Sequence, residues 1–243
     1  MEPMNYQEFS RLFTDSCEKN DISPLSEIQI ETFWRFTEHL MKVNETTNLT
    51  AIRSIPDVIA KHYADSLTVS AMIPEGSRVL DLGCGPGFPS IPLAIARPDL
   101  TVCALDSTDK KIRFLNESAE LLGLNNLKGY SGRAEDPKMR NQLKQFDIVV
   151  SRAVARMNVL SELCMPYVKI GGKLIAMKGS KGEEELAEAG NAIKILGGTP
   201  KSHKLELFTD GSAEARCLIE VHKIKETPSI YPRQYSAIVK KPL

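Results

Sequence analysis

The chain has 243 residues, 42% of them hydrophobic and 26% charged, with 31 bases balancing 31 acids. Such a composition builds one globular α/β domain with an extension, or two small domains, and its neutral total argues against indiscriminate nucleic-acid binding. No apolar run approaches the roughly 20 residues of a membrane span, and Met1–Ser10 lacks the basic-then-apolar layout of a secretion signal.

Residues 1–73 read as helical. "SPLSEIQIETFWRFTEHLMKVNETTNLT" opens on a Ser-Pro cap and sets Ile28, Phe33, Phe36, Leu40 and Val43 near helical spacing. A second helix, "IPDVIAKHYADSLTVSAM", follows, and "IPEGS" marks a boundary, so the division expected is 1–73 and 74–243. From Arg78 short apolar runs alternate with amphipathic stretches. "RVLDLG", "TVCALDS", "NLKGYSG", "FDIVVSRA" and "GGKLIAMKG" read as strands. Between and after them "PSIPLAIARP", "TDKKIRFLNESAELLGL", "NVLSELCMPYVKI" and "GEEELAEAGNAIKIL" read as helices. The ending breaks the alternation: "SHKLELF" and "EARCLIEVHKI" are consecutive strands joined by "TDGSA", a hairpin signal. The pattern predicts a mostly parallel seven-stranded sheet with helices on both faces and an antiparallel edge.

The five cysteines are scattered, with no C-x-x-C pair, and the four histidines are isolated. Neither a disulfide framework nor a metal site is indicated, and a reducing cytoplasm is the expected location. The informative stretch is "VLDLGCGPGFPS", Val79–Ser90, whose glycines at 83, 85 and 87 follow the first strand directly. In a doubly wound sheet ligands bind beyond the carboxyl ends of the strands. The phosphate-binding G-x-x-x-x-G-K-[ST] pattern is absent, and the dinucleotide fingerprint fails because Phe88 stands at its last glycine. Asp81 before the glycines would repel a pyrophosphate but suits an ammonium group, such as the methionine end of S-adenosylmethionine. Asp106, 23 residues past Gly83, could accept both ribose hydroxyls. At this point the chain resembles the class I S-adenosylmethionine-dependent methyltransferases, whose first motif is a strand, an acid and G-x-G-x-G. The fold expected is therefore the Rossmann-like class I α/β fold with an N-terminal helical extension.

The acceptor is less legible. No Pro-Pro-Tyr-type motif follows the fourth strand, and no Pro-Cys pair offers a pyrimidine nucleophile. What the active face offers is cationic: Arg152 after the fourth strand and Lys178 after the fifth. Guanine N7 has a free lone pair and needs no base, so cations without a general base would suit it.

"NLTAI", "HYADSL", "DLGCGPGFPSIPLA", "LDSTDKKIRFL", "GRAEDP" and "FDIVVSRAVA", in this order, look like the bacterial small-subunit ribosomal RNA guanine-N7 methyltransferases. The resemblance implies methyl transfer from S-adenosylmethionine to a guanine of the 530 loop of 16S rRNA, as naked RNA, precursor particle or 30S subunit, without membrane or metal. It implies cofactor contacts from Asp81, Gly83, Gly85, Gly87, Phe88 and Asp106, with Ala134 and Glu135 bordering the adenine. Arg152 would lie where cofactor and substrate meet, catalytic together with Lys178. His62, Asp65, Arg113 and Lys178 are candidates for the RNA side, although His62 and Asp65 also read as a helical i, i+3 pair fixing the extension to the core. Rival readings are a small-molecule or protein methyltransferase, and a non-catalytic RNA-binding sensor of S-adenosylmethionine. Two positions depart from the family pattern: Ser90, where glycine is common, and the tail after "YPR", where "QYSAIVKKPL" replaces a Lys and Gly-x-Pro.

Overall fold

The computed structural model describes residues 4–209 and 211–243; Asp210, in the predicted "TDGSA" turn, lies outside them. α1 (Tyr6–Lys19) begins where the Asn5 side chain accepts the Glu8 amide, and buries Phe9, Phe13 and Cys17. α2 (Glu27–Thr47) opens on a reciprocal Ser26–Gln29 capping box. It buries Phe33, Phe36 and Leu40, whereas Ile28, in its first turn, is exposed.

The helix expected after Pro56 is not uniformly α-helical. α3 (Ile55–Asp57) runs into a π-helical segment, Val58–Ala64, and then α4 (Asp65–Leu67). A π turn rotates less per residue than an α turn, so the i, i+3 alignment of His62 and Asp65 is lost. Such turns recur at functional sites. A 3₁₀ turn at Ser70–Met72 leads to the sheet.

The sheet-forming part runs β1 (Arg78–Leu82), α5 (Ser90–Ala96), β2 (Thr101–Asp106), α6 (Asp109–Leu122), β3 (Leu127–Ser131), α7 (Pro137–Leu143), β4 (Phe146–Arg152), α8 (Met157–Cys164), β5 (Val168–Lys178), α9 (Gly182–Ile195), β6 (Gly198–Thr209), β7 (Ser212–Lys223) and α10 (Tyr235–Lys240). The strand order is β3-β2-β1-β4-β5-β7-β6. β7 pairs antiparallel with β5 and β6, and the other pairings are parallel. The order reverses between β1 and β4, which makes their carboxyl ends the switch point where such sheets bind ligands.

One predicted boundary moves. Val168–Ile170, read as the end of a helix, belongs to β5, because the 3₁₀ turn Met165–Tyr167 stops the helix and Val168 then pairs with Phe146. The short helices α7 and α10 carry too few residues to show a period in the sequence.

Period-two alternation assigns the strand side chains to two apolar clusters. Val79, Val102, Ala104, Ile148 and Val150 pack on one side with Phe9, Phe33, Phe36 and Tyr63. Leu80, Leu105, Val149, Leu174 and Ile219 pack on the other with the helices between β3 and β6. Residues 1–73 thus share an apolar cluster with the sheet, and their chemistry-bearing side chains are held at its carboxyl edge.

Candidate active site at the carboxyl edge of the sheet

The chain leaves β1 through three left-handed glycines, Gly83 (φ 78°), Gly85 (φ 56°) and Gly87 (φ 116°). Two are forced by packing. A Cβ on Gly83 would lie 2.2 Å from Val154 Cγ2, and one on Gly87 would lie 2.5 Å from Ile91 Cδ1. Gly85 differs: a Cβ there would meet nothing within 4 Å, so its backbone faces open space. The Gly83 and Cys84 amides donate to Leu105 O at 2.7 and 3.2 Å, tying the loop to β2.

Asp106 ends β2 and is fixed by two amides: Gly85 N donates to Oδ2 at 2.9 Å and Thr108 N to Oδ1 at 2.8 Å. The carboxylate keeps free lone pairs on the cavity side. Asp81 behaves differently from the expectation. It is wholly buried beneath the loop, where Oδ2 accepts the Ser90 amide at 2.9 Å and Oδ1 has no partner. It is absent from the cavity lining, because the glycine turn closes over it. Ser90 is itself wholly buried, with its hydroxyl unpartnered.

Burial pushes the Asp81 carboxyl up from 3.8 to about 7. Between those values the folded chain holds a proton that the unfolded chain has released, so this group lowers stability progressively as pH rises from about 4 to 7. The penalty above that window is on the order of 4 kcal/mol. Asp81→Asn is therefore expected to melt several degrees above the wild type at pH 8, with a smaller gap at pH 5. A gap independent of pH in thermal melts would contradict this.

A cavity of about 510 Å³ opens above the loop, lined by Gly83, Gly85, Phe88, Asp106, Ala134 and Glu135, with Arg152 at one side. Gly87 shapes the turn without lining it. Ala134 is steadied by the Tyr167 hydroxyl, which donates to its carbonyl at 2.9 Å. A second cavity, about 570 Å³, adjoins the first, and both are lined by His62, Arg152, Ala153 and Val154. Asp65 and Lys178 line the second alone. Ala153 carries a positive φ of 55°, a strained conformation for a residue with a Cβ and one that clusters at functional sites.

Arg152 organises the junction. Its Nη1 donates to Lys61 O and Asp65 Oδ2, both at 2.9 Å, and its Nη2 reaches His62 Nδ1 at 3.2 Å. Because arginine can only donate, Nδ1 is the acceptor, and the His62 proton sits on Nε2, 2.8 Å from Thr50 Oγ1. Burial, and then the Arg152 charge, hold the His62 imidazole down at about 3, so it is neutral at physiological pH. The ring stacks on Phe88 with centroids 4.2 Å apart, and the Arg152 guanidinium carbon lies 5.5 Å from the Phe88 centroid. His62 and Asp65 thus meet through Arg152 rather than each other.

Lys178 is nearly buried, donating to the Ala155 carbonyl and pairing with Glu185 Oε2 at 2.8 Å. Arg113 reaches neither cavity. It sits on the outer face of α6, well exposed, with Asp109 3.3 Å away, because the inner face of that helix is taken by Ile112 and Leu115. Sequence reasoning missed Lys111 and Tyr235 in the first cavity and Lys61, Glu185 and Arg216 in the second. Lys111 carried a signal, being next in the "DKKIR" run after Asp106. Arg216 carried none; it reaches Asp65 Oδ1 at 2.9 Å from β7, 151 residues away. Among the described residues no group of three or more His, Cys, Asp or Glu side chains could hold a metal ion, and no helix is long and apolar enough to cross a membrane.

The family described as GidB, rRNA small subunit methyltransferase G, matches residues 29–208. The chain belongs to this family. It is 42% identical over 239 residues to the ribosomal RNA small subunit methyltransferase G of Lactobacillus delbrueckii subsp. bulgaricus, covering 96% of this chain and 98% of that one. The protein of the same name from Streptococcus pneumoniae is 45% identical over 224 residues, covering 90% and 94%. Among solved structures, the Bacillus cereus O-methyltransferase in complex with SAH superposes with a TM-score of 0.57 at 16% identity, covering 89% of this chain and 100% of that one. TYW2 from M. jannaschii in complex with AdoMet gives 0.51 at 18%, covering 63% and 71%. These likenesses establish for this GidB-family chain the class I methyltransferase fold.

Proposed function

We propose that this GidB-family chain transfers the methyl group of S-adenosylmethionine to N7 of a guanine in the 530 loop of 16S rRNA. Family membership supports an rRNA methyltransferase that uses S-adenosylmethionine. The observation that carries the site assignment is the meeting of two cavities at Arg152–Val154, one bounded by the glycine loop and the other by cations. The residues fit the cofactor: Gly85 leaves the space that a side chain would fill, and Asp106, fixed by two amides at the cavity wall, would accept the ribose hydroxyls. When bound, the cofactor supplies a methyl group on a positive sulfur, ready for in-line displacement. Ala134 and Glu135 would flank the adenine, and Asp81 would act from beneath by holding the loop through Ser90.

Residues 1–73 would contribute Lys61, His62 and Asp65 to the acceptor cavity, and residues 74–243 would hold the cofactor. Lys61, Arg152, Lys178 and Arg216 line that cavity with Asp65 and Glu185, and Lys61 and Arg216 also pair with Asp57 and Glu214 behind them; RNA phosphates would be held there by exchanging for carboxylates on these cations. Asp65 and Glu185 are held by cations, and both His62 nitrogens are engaged. A nucleophile with a free lone pair fits such a site, since nothing need remove a proton; alignment can supply much of the rate. Arg113, outside both cavities, would touch RNA only as it passes along α6.

Lys178→Ala would leave Glu185 facing the acceptor with its cation gone. We expect single-turnover methyl transfer to slow by about 10- to 100-fold, the loss of one charge-assisted contact, with calorimetric cofactor affinity within twofold of wild type. An equal loss of both would move Lys178 to the cofactor side.

The deciding experiment supplies labelled S-adenosylmethionine with 16S rRNA or 30S subunits lacking the modification, followed by nucleoside mass analysis. The expected product is 7-methylguanosine from one guanine of the 530 loop. Turnover without RNA, or cofactor-dependent RNA binding without product, would overturn the assignment in favour of a different acceptor or a sensor.

A further inference from the structure

The C-terminal segment sends one side chain into the first cavity. Tyr235 lines it together with Leu163 and with Gly132–Glu135, which follow β3. Its placement is built rather than incidental. Two residues before it, Arg233 grips Glu162 of α8: its backbone amide and Nε donate to Oε1 at 2.9 and 2.8 Å, and Nη2 donates to Oε2 at 2.6 Å. Glu162 is completely buried. Such an ion pair, with one partner wholly removed from water, is costly to separate and so fixes the chain that carries it. Upstream, Arg140 of α7 donates to the Tyr231 carbonyl at 3.1 Å. Downstream, Ile238 is wholly buried in the same cluster as Ala134, Met139 and Leu163.

The segment is therefore held on α7 and α8 beside the first cavity, whereas Lys61 and Arg216 line only the second. Tyr235 remains 39% exposed in spite of these anchors. Its hydroxyl makes no hydrogen bond among the described residues, in contrast to the Tyr63 and Tyr167 hydroxyls. A large amphipathic ring, fixed at its backbone and unused by the core, is a surface for a flat ligand.

We propose that Tyr235 is an adenine-binding residue, its ring forming the outer wall of the adenine end and stacking on the purine of the cofactor. This rests on the first cavity being the cofactor site. The tail after "YPR" thereby acquires a role, since Tyr235 would bring an aromatic ring to the base. Stacking on a purine needs only the π face, so phenylalanine would serve nearly as well as tyrosine.

The test is calorimetric titration of the full chain with S-adenosylhomocysteine, comparing wild type with Tyr235→Ala, Tyr235→Leu and Tyr235→Phe, with thermal melts alongside. Tyr235→Ala and Tyr235→Leu are expected to bind on the order of 10-fold more weakly, as loss of one base–aromatic stack predicts. Tyr235→Phe should stay within twofold of wild type, and all three melting temperatures should stay close to wild type because the ring is not part of the core. Alanine and leucine variants binding within twofold of wild type would overturn the inference and leave the cofactor site standing. Absence of S-adenosylhomocysteine binding by the wild type would overturn the cofactor reading itself, and this inference with it.

Discussion

Asp106→Ala is expected to weaken S-adenosylmethionine binding by on the order of 100-fold or more. In the proposed complex the carboxylate accepts two ribose hydroxyls, and a hydrogen bond to a charged group contributes about 1.5–3 kcal/mol. Two such bonds set the lower end of the loss near 3 kcal/mol. The side chain also orders the glycine loop, since Gly85 N and Thr108 N both donate to it. Asp106→Asn separates these contributions. Its one carbonyl oxygen can keep a single amide while its NH₂ faces the other, so binding intermediate between wild type and alanine is expected. Calorimetry reads the affinities, and melting curves report whether the alanine variant keeps its fold. Comparable affinity in Asp106→Ala and wild type would remove Asp106 from the cofactor site.

Arg152→Ala is expected to abolish most turnover and to destabilise the fold. The guanidinium satisfies Lys61 O, Asp65 Oδ2 and His62 Nδ1 at once. Removing it leaves Asp65, itself nearly buried, with Arg216 as its remaining ion-pair partner. Because Asp65 keeps that partner, the loss is that of charge-assisted hydrogen bonds, about 1.5–3 kcal/mol, which for a chain of this size lowers the melting temperature by several degrees. Turnover should fall by about 100-fold or more, because the wall between the two cavities and its positive charge are lost together. Arg152→Lys keeps the charge but not the planar fork, so it should recover stability more than rate.

His62 gives a second readout of the same change. Its ordinary value of 6.5 is held down at about 3 by burial first and by the Arg152 charge second. Since the folded chain refuses a proton that the unfolded chain accepts, stability falls as pH drops from about 6.5 toward 3. Without Arg152 the His62 ring should titrate at higher pH, and the share of this acid-side loss that His62 causes should shrink. NMR titration of the His62 ring protons follows this directly; an unmoved midpoint would mean that Arg152 does not set the electrostatics of the junction.

The same site shows how far short-range pattern reaches. Gly83, Gly85, Phe88 and Asp106 are legible in the sequence because a strand, a tight turn and the next strand's last residue are local features with fixed spacing, and the parallel sheet then carries them to one edge. Arg152 and Lys178 are legible for a related reason, each standing at a strand's carboxyl end. The side to which Asp81 turns was not legible: whether a carboxylate at a strand end faces the ligand or the loop above it depends on how the glycine turn closes, and Gly83 and Gly87 close it against Val154 and Ile91.

By itself, the sequence determined the doubly wound sheet, its antiparallel hairpin, the glycine cradle and the family, since each is written in neighbouring residues and in periodicity. Only the tertiary structure decided what Arg152 touches, because its partners come from the π-helical segment and from the start of α4, with Asp65 87 residues away. It alone placed Arg216 on Asp65 and Tyr235 at the first cavity, and left Arg113 outside both cavities. The physical reason is common to all of them. A period tells which face of its element a side chain leaves from, but not which groups from distant parts of the chain, if any, the fold packs against that face.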